Sequence, residues 1–243
     1  HFQYDMAMTG RRQVGSTIKP YLYTLAMENG FSPCDQTRNV EQTILTEDGK
    51  IWIPRNTGNK DDYGKIVTLR WGLAQSNNWI SAYLMSKLNP YAFKTLIHQF
   101  GIRNQDIQPV PSLCLGPCDI SVGEMVGAYT AFPNNGIRTE PLFVTRIEDS
   151  EGNIVATFTP KTYEVISRES SYKMIDMMRA VIDEGTGRRL RFRYGLKAEI
   201  AGKTGTTNDN ADGWFMGYTP SLVSGCWVGG DDRDIHFTSM SDG

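Results

Sequence analysis

The stretch AEIAGKTGTTNDNADGWFMGYTPSLVSGCWVG, residues 198–229, changes the rhythm of a chain that reads as helices before it. Three short runs, 198–206, 213–219 and 222–229, are separated by the turn formers Asn208-Asp209-Asn210 and Thr219-Pro220-Ser221. Such runs predict consecutive antiparallel strands. Helices first and strands afterwards predict a mixed α+β fold, in which an antiparallel sheet packs against flanking helices.

Working outward from that stretch, the segment at 15–29 predicts a helix stopped by Gly30 and Pro33. Its apolar residues, from Ile18 through Tyr21, Leu22 and Leu25 to Met27, surround the axis, which predicts a buried central helix. Pro20 is compatible only if that helix begins close to Ser16. The polar segment 40–63 reads as loop and hairpin. A helix capped by Thr68 follows, interrupted at Gln75-Ser76-Asn77-Asn78. Further helices are predicted at 79–88, 91–100, 121–132 and 167–184, with a hairpin at 143–158.

The chain has 243 residues, 40% of them hydrophobic, enough for one domain with one core. A net charge of −2 without a Lys/Arg block excludes the electrostatic footprint of a nucleic-acid binder. No run of 18 apolar residues is present, and residues 1–10 lack the pattern of a secretory signal. The chain opens on His-Phe-Gln-Tyr. It is read as a fragment of a longer protein whose membrane anchor lies outside this segment. Of four cysteines only Cys114 and Cys118 are close in sequence, and no second ligand pair accompanies them, so no metal and no cofactor is implied. Buried thiols are the simpler reading; a local disulfide in an oxidising compartment is the alternative. Asn208-x-Asn210-x-Asp212-Gly213 starts like a calcium loop, but Thr219 stands where the closing glutamate is needed. His98 and His236 match no local Ser-His-Asp signature.

Three motifs carry chemistry. Ser16-Thr17-Ile18-Lys19 places a serine and a lysine on one helical face; burial depresses an amine's pKa, so the lysine can act as base for the hydroxyl. About one Ser-x-x-Lys is expected by chance in a chain of this length. A second copy, Ser170-Ser171-Tyr172-Lys173, is read as a helix cap and a solvated lysine. Ser76-Asn77-Asn78 is equally common and by itself is a turn. Lys203-Thr204-Gly205-Thr206 is much rarer. It offers an amine, two hydroxyls and a bare backbone edge that suit a carboxylate and an extended peptide.

In this order the motifs resemble the Ser-x-x-K, Ser-x-N and K-T-G set of serine β-lactamases and penicillin-binding proteins. The surroundings sharpen the resemblance. Residues 11–20, RRQVGSTIKP, resemble the RRQPGSTFKP block of penicillin-binding proteins, and Trp52-Ile53-Pro54-Arg55-Asn56 resembles their WxPxN segment. Residues 73–78 resemble LAxSxN. Residues 128–136 resemble the AYxxFANxG helix end, and 181–187 resemble VVxxGTG. Residues 201–218 resemble AGKTGTTNDxxDAWFxGY, and 227–232 resemble WVGxDD; these last two blocks favour the class A, bifunctional synthases. Val14, Pro133 and Gly213 depart from the usual proline, alanine and alanine, none at a catalytic position.

The resemblance implies a transpeptidase domain across 1–243, with a glycosyltransferase domain and anchor upstream and a sheet truncated at both ends. It implies an enzyme of the periplasmic side of the inner membrane that cross-links peptidoglycan stem peptides and is inhibited by β-lactam antibiotics. It implies Ser16 as nucleophile, Lys19 as its base, Ser76 and Lys203 as the proton path to the leaving D-alanine, and Asn78, Thr204, Gly205 and Thr206 as substrate contacts. Backbone N–H groups of Ser16 and Thr206 would form the oxyanion hole. Partners would be donor and acceptor stem peptides, β-lactams and other cell-wall elongation or division proteins. A serine β-lactamase and a non-catalytic β-lactam sensor are the alternatives; the former would show Ser-Asp-Asn where Asn77 stands here.

Overall fold

The computed structural model describes residues 4–232 and 234–237. Strand β1 (Arg12–Gln13) leads through a 3-10 turn, Gly15–Ile18, into helix α1 (Lys19–Glu28). Strands β2 (Gln36–Arg38), β3 (Ile44–Leu45), β4 (Ile51–Trp52) and β5 (Ile66–Thr68) follow, the β3–β4 hairpin lying inside the β2–β5 pair. Helices α2 (Leu69–Ala74), α3 (Asn78–Lys87) and α4 (Pro90–Gln99) come next. Strand β6 (Asp119–Ile120) pairs back onto β1, ahead of α5 (Val122–Tyr129). Strands β7 (Ile137–Thr139), β8 (Arg146–Glu148), β9 (Ile154–Thr157) and β10 (Thr162–Glu164) form two nested pairs. Helices α6 (Arg168–Asp183) and α7 (Arg189–Phe192) precede β11 (Ala201–Thr206), β12 (Asp212–Tyr218) and β13 (Val223–Gly229).

These last three strands form one antiparallel sheet in the order β11-β12-β13, the α+β arrangement that the strand runs predicted. Helix α6 packs on β11 and α5 on β13. Strand β11 begins at Ala201, later than the predicted 198. The turn to β12 is tightened by Asp212, whose buried carboxylate accepts hydrogen bonds from the Thr207 hydroxyl and the Trp227 indole, both at 2.8 Å.

Helix α1 is the axis of the core. Nine of its ten residues are buried, and it packs on α3, α4 and α6. Its Tyr21 ring meets Phe100 edge-on at 4.8 Å and Tyr129 at 5.7 Å. Each such fully buried large apolar side chain stabilises by roughly 1.5–3 kcal/mol. Pro20 sits in the first turn of α1, where its missing N–H costs nothing. The predicted helix at 15–29 is thus divided: the first turn is 3-10 and the α-helix starts at Lys19.

Thr68 caps α2, its hydroxyl accepting from the Trp71 N–H at 3.1 Å. Helix α5 starts with a capping box between Ser121 and Glu124. Ser170 is not the cap of α6: Ser167 holds that place, accepting from the Ser170 N–H, and Ser170 is buried. Lys173 is only partly solvated, because Glu169 one turn earlier pairs with it at 2.7 Å. All four cysteines are free thiols; Cys114 and Cys118 are buried, whereas Cys34 and Cys226 are exposed, contrary to a uniformly buried set.

Candidate active site

The site forms where the start of α1, the α2–α3 connection and β11 meet. In a 3-10 turn, side chains three apart eclipse one another. The Lys19 N–H bonds the Ser16 carbonyl, so Ser16 and Lys19 lie across one such turn. Gly15, at φ +51°, makes the entry. A side chain there would strike the Thr206 carbonyl at 2.7 Å, so glycine lets the turn that carries Ser16 approach β11. Gly205 does the same from the strand: a Cβ would lie 2.9 Å from Val14 O and from the Thr17 methyl. The turn is fixed from behind, where the Thr17 hydroxyl donates to Val14 O at 2.7 Å and Tyr129 donates to Thr17 O at 2.8 Å.

Ser16 is half-buried, and among the described residues its hydroxyl makes no hydrogen bond. Lys19 is buried completely. Its amine donates to Ser76 O at 2.6 Å and to Asn78 Oδ1 at 2.7 Å, and lies 3.3 Å from Ser76 Oγ. Lys203, also buried, donates to Ser76 Oγ at 2.9 Å and to Thr204 O at 2.8 Å. Two amines from opposite ends of the chain therefore converge on one hydroxyl. Desolvation lowers Lys19 to about 7. The Cys114 thiol beside it is pushed up to about 12 by burial, so at neutral pH it is uncharged and supplies no counter-ion. Desolvation, and then the Lys19 charge, push Lys203 well below the ordinary ammonium range. The two cations oppose each other, which favours at least one neutral amine in the site.

Ser76 achieves its double contact through an uncommon backbone conformation, φ +53°. A non-glycine residue held there costs on the order of 1 kcal/mol and needs its surroundings to enforce it. Asn77 supplies part of that enforcement. Its side chain caps α3, accepting from the Ile80 N–H at 3.0 Å, and donates to Asn39 Oδ1 at 3.0 Å. The middle residue of Ser-x-Asn is therefore buried and serves the helix, while its neighbours serve the site. The segment at 52–56 cradles this turn. Asn56 Oδ1 accepts from the Asn78 N–H at 3.1 Å, Arg55 O from Asn78 Nδ2 at 2.7 Å, and Pro54 O from the Trp79 indole at 3.1 Å.

On β11 the alternation of a strand turns Lys203 and Gly205 inward and leaves Thr204 half-buried and Thr206 exposed. The chain also matches the penicillin binding protein transpeptidase domain over residues 2–224. The chain belongs to the penicillin-binding protein transpeptidase family.

Within this family it is 35% identical over 230 residues to penicillin-binding protein 1A of Aquifex aeolicus, covering 94% of this chain and 31% of that protein. It is 30% identical to penicillin-binding protein 1B of Vibrio cholerae over 232 residues, covering 95% of this chain and 30% of the relative. The crystal structure of penicillin-binding protein 1A from Haemophilus influenzae superposes with a TM-score of 0.89 at 25% identity, over 98% of this chain and 41% of that one. PonA1 of Mycobacterium tuberculosis in complex with penicillin V superposes with a TM-score of 0.77 at 26% identity, over 93% of this chain and 62% of that one. The chain thus spans about a third of the length of its curated relatives.

The structure brings together Lys19, Ser76, Asn78 and Lys203 by direct hydrogen bonds, with Ser16 at the mouth and Gly205 packed against the turn that carries it. Both ends of the Asn78 amide are engaged, Oδ1 by the Lys19 amine and Nδ2 by the Arg55 carbonyl. The second Ser-x-x-Lys stays out of the site, since Ser170 is buried with its hydroxyl on the Glu28 carboxylate and Lys173 pairs with Glu169. Sequence reasoning assigned no role to Thr186, whose hydroxyl lies 2.6 Å from that of Thr204. Its signal was the Gly185-Thr186-Gly187 block.

Proposed function

We propose that this chain is the transpeptidase unit of a class A, bifunctional peptidoglycan synthase, acting through a Ser16 acyl-enzyme on the extracytoplasmic side of the inner membrane. The supporting observation is the convergence of the buried Lys19 and Lys203 amines on the Ser76 hydroxyl, one turn from Ser16. In this reading neutral Lys19 takes the Ser16 proton as Oγ attacks the carbonyl between the two terminal D-alanines of a stem peptide. The oxyanion is held by the backbone N–H groups of Ser16 and Thr206, at an edge that Gly15 and Gly205 bring together. Collapse breaks the C–N bond, and the leaving amine takes a proton through Ser76, whose hydroxyl Lys203 holds. Thr204 and Thr206 bind the terminal carboxylate, and Asn78 steadies Lys19 and the donor amide. An amine of a second stem peptide then attacks the acyl-enzyme and releases Ser16, forming the cross-link. With a β-lactam the same attack opens the ring, but the leaving nitrogen stays tethered and the enzyme remains acylated.

The test is incubation with benzylpenicillin followed by intact-mass analysis and peptide mapping. One covalent adduct is expected, on Ser16, absent from Ser16→Ala. An adduct on Ser170, or none on the folded protein, overturns the assignment. Rapid turnover of a chromogenic β-lactam without cross-linking would identify a lactamase instead.

A further inference from the structure

We propose that Thr186 is a positioning residue for the transpeptidase reaction: its hydroxyl donates to Thr204 and so aims the Thr204 proton at the substrate carboxylate. The inference rests on the reading of Ser16 and Thr204 given above. The starting observation is the 2.6 Å contact between the two hydroxyls, the one hydrogen bond that either makes among the described residues. A hydroxyl has one proton and accepts through its lone pairs. If Thr186 donates, Thr204 keeps its proton for an incoming acceptor. If Thr204 donates, it has nothing left to give a carboxylate. An anion at Thr204 selects the first arrangement.

The turn that carries Thr186 is built for this placement. Gly185 has no room for a side chain, because a Cβ would lie 2.0 Å from the Ala74 carbonyl. The Thr186 N–H donates to that same carbonyl at 3.1 Å, and the Gly187 N–H donates to Val181 O at 2.9 Å. Ala74 ends α2 two residues before Ser76, and the Ser76 N–H is held by Leu73 O at 3.0 Å. The turn after α6 therefore grips the Ser76 segment through its backbone and strand β11 through the Thr186 side chain. These are two of the three segments of the site. The Lys203 amine is fully buried and already donates to Ser76 Oγ and Thr204 O, whereas Thr204 is half-buried and Thr206 exposed, so the hydroxyls are the groups that meet an incoming carboxylate. Recognition then falls to neutral hydroxyls, for which proton direction decides whether the contact attracts or repels. A groove of about 550 Å³, lined in part by Trp71, Gln75, Thr186 and Arg188, opens at Thr186.

The experiment compares Thr186→Val, which keeps shape and backbone bonds but removes the hydroxyl, with Thr186→Ser, which restores it. Acylation rates are followed by intact mass with benzylpenicillin and with its methyl ester, which lacks the carboxylate charge. Loss of one hydroxyl contact is expected to slow acylation by the acid about 3- to 10-fold in the valine variant. The ester is expected to change less than about twofold, and the serine variant to recover to within about twofold of the parent. Equal loss for acid and ester, or no loss for either, overturns the positioning role while leaving the Ser16 mechanism standing. Failure of the parent protein to acylate at Ser16 overturns that mechanism and the Thr186 role with it.

Discussion

Replacing Lys19 by methionine tests the electrostatic core of the site through the stability of the protein. Lys19 is fully buried, and desolvation lowers it from 10.5 to about 7. The sign follows from proton counts. Below pH 7 both folded and unfolded chains hold the proton, and the folded state bears the whole cost of a buried ammonium. Between 7 and 10.5 the unfolded chain binds a proton that the folded chain has released, so stability rises with pH. Above 10.5 neither holds it and the contribution vanishes. At about 1.36 kcal/mol per unit, integrating from pH 6.5 to 9 gives the parent a gain of roughly 2–3 kcal/mol that the methionine variant lacks. The surface groups titrate in both proteins and largely cancel in the difference. Lys203, held below the ordinary ammonium range first by desolvation and then by the Lys19 charge, loses the second cause in the variant, which lowers the variant's own gain with pH and widens the gap between the curves. Lost bonds to Ser76 O and Asn78 shift the whole curve of the variant without changing its slope. The assay is chemical denaturation followed by tryptophan fluorescence at pH 6.5, 7.5 and 9. Parallel stability–pH curves for parent and variant would show that Lys19 is not a desolvated amine. Because a base acts in its neutral form, acylation by the parent should rise with the same midpoint, about 30-fold between pH 5.5 and 8.5.

Lys173→Ala is expected to leave acylation within about twofold and stability within about 0.5 kcal/mol, since its partner Glu169 is largely exposed; a large loss of acylation would move the base from Lys19 to the second Ser-x-x-Lys. Gly185→Ala is expected to destabilise by roughly 1–3 kcal/mol and lower the melting temperature by several degrees, because the new methyl meets the Ala74 carbonyl. Calorimetry showing an unchanged melting temperature would refute the close packing of that turn on α2.

What the sequence made legible was whatever a short window contains. Lys-Thr-Gly between turn residues announces a strand with a bare edge, and Ser-x-x-Lys before Pro20 announces the start of a helix. The segment at 52–56 was visible as a family block, but its physical task was not. It binds residues 78–79 through the Arg55 and Pro54 carbonyls as well as the Asn56 side chain, and carbonyls leave no trace in residue types. Ser167 and Ser170 are both good caps one turn apart; burial of Ser170 against the core, a tertiary fact, decides between them. The conformation of Ser76 was hidden for a related reason. Nothing in Gln75-Ser76-Asn77-Asn78 demands φ +53°; the demand comes from Lys19, 57 positions away, which binds both the carbonyl and the side chain of the turn, and from Lys203, 127 positions away. The depression of the Lys19 pKa is likewise a property of burial, against the Ser76–Asn78 turn and Cys114, not of its neighbours in sequence. The order of motifs therefore names the parts, while their chemistry arises only when the fold removes two lysines from water and aims them at one hydroxyl. This separation explains why the second Ser-x-x-Lys, identical in spacing, acquires none of that chemistry: its lysine stays partly exposed and pairs with the Glu169 carboxylate one turn away, instead of being buried against a second motif.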